Sequence, residues 1–245
     1  MPRRRTHSAV FIDAARLSDE QSKQLFEDYD DLQETVANGR TVSRLNQIYS
    51  VNTVVNACMF LEANIHEFYR KALDDESTIE YNEEHNSPFT STFYLNLREA
   101  DSDYDTDQAD MFYGNICRKY MAFLEYFEAD QFDENQEPWD SCDLLVKLRN
   151  HFVHFESEYV DASPDPESHE LAARLVEKGV PPNPWLEDAN LVYVHRAFGP
   201  GLTSWAVRSA EEFVESFHQK VGADKRYQSL RPLRFRIRRP DLSNS

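Results

Sequence analysis

Asp143-Leu144-Leu145-Val146-Lys147-Leu148-Arg149-Asn150-His151-Phe152-Val153-His154-Phe155 carries the period that decides the fold. At about 100° per residue, Leu144, Leu145, Leu148, Phe152, Phe155 and Tyr159 fall within one apolar stripe roughly 100° wide, the pattern of a helix laid against a core. The opposite side is less ordinary. Round it come Arg149, Val153, Val146, Asn150 and His154, two valines framed by an arginine, an amide and an imidazole. A solvated face has little use for those valines. A face docked on another helix, or on a second copy of the protein, does. Asp140 or Ser141 is the expected N-cap of this helix, which is predicted to run to about Phe155 or Tyr159.

Working outward, the same period recurs. From about Thr41 to Leu73, Val42, Leu45, Ile48, Tyr49, Val55, Met59, Ile65, Phe68 and Tyr69 return at steps near three and four. Around Ala57-Cys58-Met59-Phe60-Leu61 this helix turns apolar on most sides, as expected of a central helix covered by several neighbours. Gln108–Glu128 repeats the pattern through Met111, Phe112, Ile116, Tyr120, Phe123, Leu124 and Phe127. Pro166 is expected to start a short helix that Gly179-Val180-Pro181-Pro182 stops. A last helix spans about Thr203 to Val221, with Trp205, Val207, Phe213, Val214 and Phe217 on its apolar face. Ahead of them, Ser18 with Gln21 reads as a capping box opening a first helix that Asn38-Gly39 ends. The expected layout is an irregular segment 1–17, an all-α helical bundle over 18–222 and a basic tail over 223–245. Residues 74–107 form an acidic, aperiodic loop insertion. Its alternating Asp101, Asp103, Asp105 and Asp107 lack the glycine and terminal glutamate of a calcium loop.

Bulk properties set limits on function. Six glycines argue against a strand-rich design full of tight turns, and no apolar run is long enough for a membrane span. Asp13 and Arg16 break the short apolar stretch that follows the first residues, so a secretory leader is not expected. Cys58, Cys117 and Cys142 are an odd number without CxxC spacing and read as reduced core thiols, consistent with a cytoplasmic protein. The formal net charge is −18, and the cations are 19 arginines but only 7 lysines. Such a balance suits a proteome adapted to high salt, or an ordinary acidic protein that uses charge for solubility. At about 1 M salt the Debye length is about 3 Å, so acidity does not exclude a nucleic-acid substrate. Against that background Lys225, Arg226, Arg231, Arg234, Arg236, Arg238 and Arg239 stand together without an acid among them. Such a tail can touch RNA or lie on the protein's own acidic surface.

Arg149-Asn150-His151-Phe152-Val153-His154 resembles the Arg-polar-x3-His motif of HEPN domains (higher eukaryotes and prokaryotes nucleotide-binding), and Leu148-Arg149-Asn150 followed by Val153-His154 is similar to the motif helix of their prokaryotic members. Leu61-Glu62-Ala63-Asn64-Ile65 and Ser204-Trp205-Ala206-Val207 also look like segments of that family. The resemblance is loose over about 40–222 and sharp only over Leu148–Phe155. It implies a HEPN-like helical bundle, a homodimer, and a metal-independent endoribonuclease of toxin or defence type. Arg149 and His154 would be catalytic, Asn150 substrate-binding, and no cofactor or metal would be needed. An antitoxin is an expected partner. Glu156, however, stands where some toxins of this family carry a tyrosine that a nucleotidyltransferase antitoxin modifies, which argues against regulation of that kind.

The chemistry is coherent. A histidine can take the 2′-hydroxyl proton, and an arginine fork can steady the charge that gathers on phosphorus. Arg149 and His154 nevertheless lie about 7.5 Å of rise and about 140° of rotation apart on a regular helix. They share a cleft only if the last turn loosens or a twofold axis brings two copies together. Other readings stay open. Arg149 can pair with a nearby carboxylate while His154 sits favourably at the helix end, and the chain would then be a non-catalytic HEPN-like module for protein interaction or RNA binding. His151, His154 and Glu158 have the spacing of a metal site, but no fourth ligand is in view.

Overall fold

A computed structural model describes residues 7–28, 39–74, 116–126, 129–153, 170–183 and 196–222. Among these the chain is all-α, with six helices and no strand. They are α1 (His7–Glu27), α2 (Gly39–Asp74), α3 (Ile116–Tyr126), α4 (Trp139–Val153), α5 (Glu170–Glu177) and α6 (Pro200–Lys220). Helix α2, at 36 residues the longest of them, packs against α1, α3, α4 and α6. Helix α4 touches α2, α3, α5 and α6. The acidic stretch after residue 74 and the basic tail lie outside the described residues.

The first helix corrects the expected layout. Residues 7–17 are helical, Ser18 lies buried inside the helix instead of capping it, and Gly39 opens α2 where it was expected to end α1. The buried stripe of α1 is Ser8, Ile12, Ala15, Asp19 and Ser22, a register of alternating steps of four and three built almost wholly from small and polar residues. Hydrophobic period therefore understates it. Its polar members are hydrogen-bonded across helices. Ser8 donates through its amide (2.9 Å) and hydroxyl (2.6 Å) to the Glu67 carboxylate, which thus sits at the positive end of the α1 dipole. Asp19 accepts from Thr203 Oγ1 (2.7 Å) and Ser204 Oγ (2.9 Å) of α6, and Arg16 pairs with Glu211.

The core between α2, α3 and α6 is aromatic. Tyr120 meets Phe213 and Phe217 edge-on with centroids 4.9 and 4.8 Å apart, and its hydroxyl donates to the Leu61 carbonyl (2.7 Å). Phe132 stacks on Phe213 at 4.8 Å. Cys58, Cys117 and Cys142 are buried free thiols, as expected, and the sulfurs of Cys117 and Cys142 lie 3.2 Å apart. The short helix α5 ends as its sequence predicts. Gly179 adopts φ 67°, the left-handed conformation that glycine takes without a Cβ clash, and the Val180 amide bonds back to the Leu175 carbonyl at 3.0 Å. Just beyond, Pro181 passes so close to α6 that a Cβ on Gly201 would meet its ring carbons at 2.7 Å.

Charge fixes α5 to α4. Arg174 donates to Asp143 (2.9 Å), to Asp140 Oδ1 (2.6 Å) and to the Asp140 carbonyl (3.0 Å), and Lys178 pairs with Glu137 and Asp140. The hydrogen bonds from Lys178, and then Arg174, hold the Asp140 carboxyl below its ordinary pKa despite some burial. A carboxyl depressed on folding adds stability that is present above its ordinary titration range and disappears as pH falls through its folded value. Replacing Arg174 with methionine is expected to cost about 1–2 kcal/mol, since the guanidinium is largely enclosed and its partners are only part-exposed. Urea denaturation of Arg174→Met should also show a smaller acid-side loss of stability than the parent protein.

Candidate functional site

Helix α4 begins at Trp139, directly after Pro138, a residue suited to the first turn. Neither Asp140 nor Ser141 is its cap. The Glu137 carboxylate does that work, accepting from the Ser141 amide (3.3 Å) and hydroxyl (2.8 Å). The expected core stripe is in place: Leu144, Leu145 and Leu148 are fully buried and Phe152 packs on the core, while Phe155 and Tyr159 lie outside the described residues.

The opposite face divides. Val146, predicted to look outward, is only 3 % exposed and belongs to the core, because α4 is contacted by four other helices. Val153 is 49 % exposed. Arg149 is half-buried and Asn150 exposed, and Arg149 Nη1 donates to Asn150 Oδ1 at 2.9 Å. That bond engages one of the five guanidinium N–H donors. Among the described residues Arg149 forms no ion pair, so the expected alternative of a carboxylate partner finds no support there. His154 follows the last described residue of α4, and both it and Glu158 are outside the described residues. No group of three or more metal-ligating side chains occurs among those described. His151 is half-buried with its ring edge-on to Phe152, in keeping with a structural role.

Close to Arg149 in sequence, α4 is joined to α2. One turn before Arg149, the Leu145 carbonyl accepts from the Cys58 thiol of α2 at 3.6 Å. Burial drives the Cys58 pKa far up, Arg149 pulls it back, and Cys117 of α3 and Glu62 of α2 push it further up. The guanidinium and the Glu62 carboxylate therefore both act on the same buried sulfur. Glu62 Oε1 lies 3.6 Å from Lys119 Nζ and 3.9 Å from His66 Nε2. Burial, and next the Lys119 ammonium, hold His66 below its ordinary pKa against the pull of Glu62.

Sequence reading did not single out Glu62, His66 or Lys119. A cue existed for Lys119. It stands three residues after Ile116 and four before Phe123, in the register of the core face, and it is indeed buried. A lysine in that register has a reason to be there. No family model, curated protein or solved structure matches this chain.

Proposed function

We propose that this chain is a metal-independent endoribonuclease of HEPN type, acting as a homodimer in a toxin or defence role, with Arg149 and His154 as catalytic residues and Asn150 binding substrate. The observation that carries this reading is the state of Arg149: a half-buried guanidinium, oriented by the amide of its neighbour and in no ion pair among the described residues. A permanently charged fork held in this way suits a phosphate oxygen. In the reaction, His154 takes the proton of a ribose 2′-hydroxyl, and that oxygen bonds to the adjacent phosphorus. The bond to the 5′-oxygen breaks, that oxygen takes a proton from solvent as it leaves, and His154 returns its proton to solvent afterwards. The products are a 2′,3′-cyclic phosphate and a 5′-hydroxyl end. Arg149 neutralises the charge that builds on the non-bridging oxygens.

Dimerisation supplies what one helix lacks, since Arg149 and His154 diverge by about 140° on a regular helix. Exposed Val153, one residue before His154, gives such a contact an apolar element. Val146, being core, cannot serve as a probe of association, and Val153→Asp takes that place. An antitoxin partner would act on the same face.

The decisive assay is cleavage of a mixed RNA in high salt with a chelator present. The parent protein should release cyclic-phosphate ends, and His154→Ala should be slower by about 10²–10⁴-fold. Equal rates for the two proteins would remove His154 from the mechanism. A second reading, a non-catalytic interaction module, draws on the same Val153. It predicts that Val153→Asp abolishes assembly while no RNA is cut by any form.

A further inference from the structure

Cys117 of α3 and Cys142 of α4 are both buried and form no disulfide, yet their sulfurs lie 3.2 Å apart in a thiol–thiol contact. Bonded sulfurs are about 2 Å apart, so the two need to close by only about 1 Å. They come from different helices, 25 residues apart in sequence, and a bond between them would tie α3 to α4. The third thiol is engaged elsewhere, since Cys58 donates to the Leu145 carbonyl at 3.6 Å. Packing as a small apolar side chain accounts for one buried cysteine at a time. It gives no reason for two sulfurs to meet across a helix contact.

We propose that Cys117 and Cys142 are an oxidative modification site, the dithiol form of an intramolecular disulfide made by a small hydroperoxide. One thiolate attacks a peroxide oxygen, the O–O bond breaks, and the leaving hydroxide takes up the proton that the thiol gave. The sulfur is now a sulfenic acid. The second sulfur attacks it, the S–O bond breaks, and the departing hydroxide takes the second thiol proton. Two thiols are thereby oxidised to one disulfide, and one hydrogen peroxide is reduced to two waters. Burial, and next the Cys117 thiol, push the Cys142 pKa well up, so the first step is slow while the pair is covered. It proceeds through local opening of α3, a helix of only 11 residues. When α3 closes again, the sulfenic sulfur returns to its partner and the second step is intramolecular. A hydroperoxide is small enough to enter by such an opening, whereas a bulky disulfide is not. The product is a slow cross-link, undone by reduction.

The test uses the full-length chain, fully reduced and then treated with hydrogen peroxide under conditions in which circular dichroism shows the helices intact. Thiols are counted afterwards in denaturant. The chain has 3 cysteines, and the oxidised protein should retain a single titratable thiol. Proteolysis and mass spectrometry should find the peptides of Cys117 and Cys142 joined and Cys58 still open to alkylation. A reducing agent should restore the full thiol count. Cys58→Ser should cross-link at the rate of the parent protein, and Cys142→Ser should form no intramolecular disulfide. The cross-linked protein should melt roughly 5–10 °C higher, because the bond restricts the unfolded chain.

An unchanged thiol count after peroxide overturns the proposal, and so does irreversible sulfinic acid in place of a disulfide. The pair is then a packing contact only. A cross-link that maps to Cys58, or that joins two chains, overturns it as well. So does an oxidised form that melts below the reduced one, since the bond would then disrupt the contact between α3 and α4. Mapping on the parent protein needs no substitution, so a Cys142→Ser chain that fails to fold leaves the test decisive. None of these outcomes bears on RNA cleavage by Arg149 and His154, and the two proposals stand or fall separately.

Discussion

Arg149→Ala is expected to cut RNA about 10²–10³-fold more slowly than the parent protein while melting at nearly the same temperature. On the ribonuclease proposal the rate effect follows from removing a charged donor aimed at developing phosphorane charge, an interaction stronger in the transition state than in the ground state. The small stability effect follows from the surroundings: among the described residues the guanidinium bonds only to Asn150, its own neighbour on α4, and anchors no other helix. Arg149→Lys should recover only part of the rate, because an ammonium keeps the charge but not the two-pronged geometry. Kinetics at saturating RNA separate the roles, with the loss falling on kcat more than on KM. A structural arginine would behave in the opposite way, with a lower melting temperature and unchanged cleavage. That outcome would end the ribonuclease proposal.

The largest stability effect is expected at Phe213. Its ring is fully buried, stacks on Phe132, meets Tyr120 edge-on and lies 6.2 Å from Trp139. Truncation to alanine removes the transfer energy of the ring and leaves a cavity between rigid aromatic neighbours that cannot collapse into it. The cost should be about 3–5 kcal/mol in urea denaturation, read at fixed salt. Val10→Ala, on an exposed side chain of α1, is the matched control and should change stability by less than about 0.5 kcal/mol. A loss at Phe213 no larger than that of the control would mean that the aromatic cluster does not hold α6 to α3.

Local pattern alone was enough for the helical class, for the leucine stripe of α4 and for the stop at Gly179, because each depends on residues within a turn or two of one another. Leucines at helical spacing need a core wherever the rest of the chain lies, and glycine before two prolines cannot prolong a helix. The same reasoning put Arg149 and Asn150 on a face apart from that stripe, and the structure finds them half-buried and exposed. It failed where the chain packs against distant parts of itself. Helix α1 begins at His7 because a stripe of serine, alanine and aspartate fits closely between α2 and α6, and small polar residues give no hydrophobic period to read. Val146 sits on the outer side of its own helix yet inside the protein, since which flank a neighbour covers is set by contacts far away in sequence. The Lys119–Glu62 ion pair and the Cys58–Leu145 bond one turn before Arg149 are likewise products of tertiary packing: each joins segments more than fifty residues apart that meet only when α2 packs on α3 and α4, and no spacing within any one helix encodes it.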